Sequence, residues 1–201
     1  MTEKHDREET SAQAALPQAA LTGLADERAV AAQENGITAV QAIAAQVAGD
    51  FIHRLAPAFR PPARLVCPTD EAEQAVVDAV TQAATARGIP VEVIDLRPAP
   101  AERMGDVTAR LGTSGGETSD NGPIPALLIL RGFDVFGDDA HDAPTYPFRS
   151  KFQFDRNFLW LFVGQDALRM QFLFGSNRRP LYQAAGDITP KEWQPSNRHS
   201  R

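Results

Sequence analysis

The stretch FQFDRNFLWLFVGQDALRMQFLFGSNRRPLYQAAGDITPKEW, Phe152 to Trp193, decides the fold. Inside it, Phe158 to Val163 (FLWLFV) is a short, wholly apolar run closed by Gly164. A strand covered on both faces meets no water on either side, so it needs no polar alternation. Gln165 to Phe174 then predicts a short helix or turn, with Leu168 and Phe172, with or without Met170, on one side. Gly175-Ser176-Asn177 is a turn signal. Arg178-Arg179-Pro180-Leu181-Tyr182 follows, a basic pair joined to a proline that restricts the backbone before it.

Upstream, the pattern repeats the same grammar. Ala63 to Cys67 (ARLVC) predicts a short strand. Pro68-Thr69-Asp70-Glu71 is a helix start with Thr69 or Asp70 as N-cap. Ala72 to Arg87 predicts a helix with Ala75, Val76, Ala79, Val80 and Ala83 on one side, stopped by Gly88. Ile89 to Leu96 predicts a second strand, so the segment reads as a βαβ unit with parallel strands. Ala101 to Leu111 has helical composition. Residues 112–122 (GTSGGETSDNG) form a loop with no large apolar residue. That loop makes a poor phosphate cradle: it is acidic, no strand leads into it and no Lys-Ser/Thr follows. Pro125 to Leu130 predicts a third buried strand, running into Arg131-Gly132. An acidic loop from Gly137 to Tyr146 comes next, then a helix or helix-like connector from Phe148 to Asn157. Ile188 marks a short final strand over 186–189.

At the N-terminal end, residues 1–25 are polar and alanine-rich without firm periodicity and predict a disordered or weakly helical tail. Residues 26–56 predict a helical segment, split at Gly36, whose apolar face includes Val30, Ile37, Val40, Ile43, Val47, Phe51 and Leu55. That face serves either packing on the same domain or a partner. Pro57, Pro61 and Pro62 end it. The expected organisation is therefore a tail, the helical segment, an α/β domain over 63–193 and a polar tail over 194–201. The fold class is α/β, three-layered, with a mainly parallel sheet.

With 201 residues and 43% hydrophobic ones, the chain has enough to bury the core of one domain. Its net charge of −6 disfavours a general nucleic-acid surface. The lone cysteine, Cys67, excludes an intrachain disulfide and suits a reducing cytoplasm. The first residues, MTEKHDREET, are charged and lack the apolar core of a secretion signal, and no run has the length of a membrane span, so a cytoplasmic location is expected. His5, His53, His141 and His199 show no ligand spacing, and no metal or cofactor is expected. Asp138, Asp139 and Asp142 are either a weak cation cluster or a solvated loop.

Phe162-Val163-Gly164-Gln165, Arg169 to Phe174, and Arg178 to Ala185 resemble, in order, the sensor strand, the following helix and the "rPlY..a" segment of STAND-type P-loop ATPases, often called archaeal-type ATPases. That resemblance implies a P-loop ATPase-like fold. Gly132 to Phe136, Tyr146-Pro147-Phe148-Arg149 and Phe172 to Gly175 also match, in order, small BrxB-type proteins of BREX phage-defence systems. The acidic insert Asp138 to Pro144 departs from their spacing.

A P-loop ATPase needs a glycine-rich loop with a Lys and a Ser/Thr, an acid at the end of a second strand, and a polar sensor on the strand between. In the corresponding turn this chain reads Cys67-Pro68-Thr69-Asp70-Glu71-Ala72-Glu73-Gln74, with no glycine and no lysine. Its carboxylates complement the helix dipole and repel a triphosphate. The strand that should end in acids ends in Arg131-Gly132. Asp134 is then either a displaced acid or a turn residue, and Gln165 takes the sensor position. Cys67, at a buried strand end, reads as an inert core thiol. The expected function is a non-catalytic interaction or regulatory subunit with a protein partner, in a defence or DNA-associated assembly. The alternative is an ATPase subunit completed by a partner chain. The contact candidates are Arg178, Arg179, Tyr182, Gln165 and Asp134.

Overall fold

Five strands pair in the order β2-β3-β4-β1-β5, and every pairing is parallel. They are β1 (Ala63–Val66), β2 (Val91–Asp95), β3 (Ala126–Arg131), β4 (Phe158–Gly164) and β5 (Gly186–Asp187). The computed structural model describes residues 39–55, 62–111, 126–155 and 157–194. They belong, Ala39 apart, to the unit Val40–Arg201. The expectations for residues 1–38, Pro57, Pro61, the 112–122 loop and residues 195–201 lie outside the described residues.

Between the strands run α1 (39–54, before β1), α2 (Asp70–Thr85), α3 (Pro100–Arg110), α4 (Thr145–Phe152) and α5 (Ala167–Gly175). Parallel crossovers are right-handed, so the direction of each step along the sheet decides which face its helix covers. From β1 the chain steps across β4 and β3 to β2, placing α2 on one face. Each later step runs the opposite way, placing α3, α4 and α5 on the other. Side-chain alternation follows. Leu127, Ile129, Leu159, Leu161 and Val163 pack toward α1 and α2. Leu128, Leu130, Trp160 and Phe162 pack toward α3, α4 and α5. The run FLWLFV is therefore apolar because both of its faces are covered, and Leu161 and Phe162 have no exposed surface.

The apolar face expected for the N-terminal helical segment packs within this unit over its described part. Ala44, Val47, Ala48, Phe51 and Ile52 join the same core cluster as Leu65, Val76 and Leu161. On the opposite face the core is aromatic. Phe133 and Phe162 lie 4.6 Å apart between ring centroids, and the Phe148 and Phe152 rings stack at 5.1 Å. Trp160 turns its indole N–H outward to Asp155, 3.2 Å away. The connector expected from Phe148 begins earlier, as α4 at Thr145.

Leu168 and Phe172 share one side of α5, as their spacing predicts, but it is the outer side. Leu168 is 83% exposed and Phe172 40%, while Met170, Leu173 and Phe174 face the core. The phase is set by the cap. Asp166 accepts from the Leu168 and Arg169 amides, both at 3.0 Å, which starts the helix at Ala167 and turns Met170 toward Gly164.

Candidate functional site

In an open parallel sheet, ligands gather outside the carboxyl ends of strands whose connections leave toward opposite faces. Here that place lies between β1 and β4, which are neighbours. The connection from β1 passes to the α2 face and that from β4 to the α5 face. The turn after β1 leads into α2, where the Thr69 hydroxyl accepts from the Ala72 amide at 3.1 Å. This cap fixes Glu73 in the first turn, directed into the crevice and without exposed surface.

Four groups from four parts of the chain converge there. Arg131, the last residue of β3, donates its Nε–H to Glu73 Oε1 at 2.5 Å. Arg97, just past β2, donates to both Glu73 oxygens at 3.2 and 3.4 Å. Gln165, just past β4, donates to Glu73 Oε2 at 2.7 Å and to Asp70 Oδ1 at 2.6 Å. Arg97 is held from behind by Asp95, through Nε–H at 2.9 Å and Nη2 at 2.8 Å. Arg131 also reaches Gln74 Oε1 at 2.9 Å. Gly132 makes room for this crossing. It sits at φ 65°, and a Cβ there would lie 2.4 Å from Arg97 Cγ.

The electrostatics of the crevice are those of a closed network. The carboxylates Asp70, Glu73 and Asp95 outnumber the guanidinium groups Arg97 and Arg131. The hydrogen bonds from Arg97 hold the Asp95 carboxyl below the usual carboxylate range, against the opposing effect of burial. Asp95 in turn raises the Arg97 pKa. Beneath them Cys67 is fully buried. Burial, reinforced by the Glu73 charge, pushes its thiol up, so it stays protonated and inert.

The sequence candidates separate into two groups. Gln165 belongs to the network. Asp134 stands beside it in a 3-10 turn after β3 (Phe133–Gly137), where its Oδ2 accepts from the Asp166 amide at 3.0 Å. Gly164 admits this approach, since a Cβ there would come within 3.0 Å of Asp134. Arg178, Arg179 and Tyr182 lie past the far end of α5, on the chain's way to Gly186. That residue pairs with Ala63 at the amino end of β1. α5 has thus carried them off the carboxyl edge. Arg179 is 8% exposed and ion-paired with Asp139 and Asp142, its guanidinium 4.0 Å from the centre of the Phe172 ring. Arg178 is exposed, and among the described residues no acid meets its guanidinium. The exposed Tyr182 accepts at its hydroxyl from Gln183 at 3.0 Å.

Sequence reasoning missed the network as a unit, naming Glu73 only as a helix-start acid and Arg131 only as a strand end. A signal was present. Glu73 stands three and four residues before Val76 and Val77 on the buried stripe of α2, where an acid demands a partner. The acids Asp138, Asp139 and Asp142 are used by Arg169 and Arg179. Among the described residues no cluster of His, Cys, Asp or Glu has the geometry of a metal site, and no helix is long and apolar enough to cross a membrane.

Searched against models of known protein families, the chain matches none, and no curated protein matches it. Among solved structures it is similar to the Orc1 protein of Aeropyrum pernix in complex with DNA, at 14% identity and a TM-score of 0.46, over 76% of this chain and 44% of that one. It is also similar to a Walker-type ATPase of Pyrococcus abyssi, at 9% identity and a TM-score of 0.43, over 75% of this chain and 54% of that one. The chain thus spans about half the length of these structures. The α/β assignment rests on the strand order and register given above.

Proposed function

We propose that this chain is a non-catalytic domain of the P-loop ATPase type, acting as an interaction or regulatory subunit. One observation carries the reading. The crevice where such a fold would hold phosphates is filled by the buried Glu73 carboxylate, bound by Arg97, Arg131 and Gln165. Phosphoryl transfer depends on positioning and on neutralising the phosphate charge. The basic groups of this crevice are committed to an internal acid, and the surrounding carboxylates repel a triphosphate. The partner is a protein, and the exposed Arg178 and Tyr182 are assigned as contact residues. The resemblance to BrxB-type chains makes a defence assembly the first place to seek it.

The test is a titration of the pure chain with a fluorescent ATP analogue, with and without Mg²⁺, alongside a turnover assay. The expected result is neither saturable binding nor hydrolysis. Turnover abolished by Asp134→Ala would overturn the proposal. Binding that appears only with a partner chain present would favour a nucleotide site completed in trans.

A further inference from the structure

We draw no further inference here: the strongest candidate, the outward face of α5 where Leu168 lies exposed beside a pocket lined by Arg64 and Asp187, is an apolar face next to an ion pair, and nothing in the structure shows what covers it.

Discussion

Arg131 Nε lies 2.5 Å from Glu73 Oε1 and ties the end of β3 to the first turn of α2. The Arg131 side chain is 17% exposed and that of Glu73 not at all. Taking two charges out of water is costly, and their attraction repays it only when further hydrogen bonds complete the geometry. Arg97 and Gln165 supply those bonds. The crevice is therefore closed by charges that are far apart in sequence and depend on one another.

Removing one partner should cost far more than removing both. Glu73→Ala strands the mostly buried Arg131 guanidinium while Arg97, 37% exposed, keeps Asp95, so the expected loss falls below that of a fully buried pair, at about 2–3 kcal/mol. The double change Glu73→Leu with Arg131→Leu fills the space with apolar side chains and should recover more than half of that loss, since Arg97 can still pair with Asp95. Urea unfolding of the three proteins measures this. A Glu73→Ala variant as stable as wild type would show that the network does not stabilise the fold.

Gly132 should be coupled to Arg97. Any side chain at φ 65° is strained, by about 1–3 kcal/mol. A Cβ there also collides with Arg97 Cγ. Gly132→Ala should therefore cost less in an Arg97→Ala background, where that atom is gone. A double-mutant cycle reads the difference, and the expected coupling is about 0.5–3 kcal/mol. A coupling of zero would mean that Arg97 sidesteps the methyl group freely.

The β1-to-β4 frame was legible because its signals are local. An apolar run, a Thr69 cap and a Pro-Gly punctuation each occupy a few adjacent residues. The network was not legible as a site, because its bonds to Glu73 span 24, 58 and 92 residues. Only the strand order brings those positions to one crevice. The orientation of α5 fell between the two. Its helical spacing was readable, but which side faced inward depended on the Asp166 cap and on the contact of Met170 with Gly164.

Acid should loosen the rim of the crevice. Arg97 holds the Asp95 carboxyl below its ordinary value in the folded protein. A depressed folded pKa gives stability that is present above the unfolded value, about 4, and is lost as pH falls through the folded one. Asp95→Asn removes this titration, so stability should fall less steeply below about pH 4. Both side chains are about a third exposed, so the effect is small and weakens with added salt. Melting curves against pH at low and high salt test it. Equal slopes for wild type and Asp95→Asn would show that Arg97 does not hold this carboxyl.

The adjacent arginines Arg178 and Arg179 should behave oppositely. Arg179 is buried against Phe172, and its planar fork meets Asp139 and Asp142 together. Arg179→Ala strands Asp142, whose side chain is 18% exposed, while Asp139, at 86%, returns to water. The cost should thus fall below that of a fully buried pair, at about 2–3 kcal/mol. Arg179→Lys should not restore it, because a single ammonium cannot reproduce the bidentate, stacked geometry. Arg178→Ala removes an exposed side chain and should change stability by no more than about 0.5 kcal/mol. The double variant should unfold with Arg179→Ala alone, so partner binding is properly tested on Arg178→Ala. If that variant keeps its stability and loses the partner, Arg178 is a contact residue. If Arg178→Ala costs as much stability as Arg179→Ala, the assignment of one arginine to the core and the other to the surface is wrong.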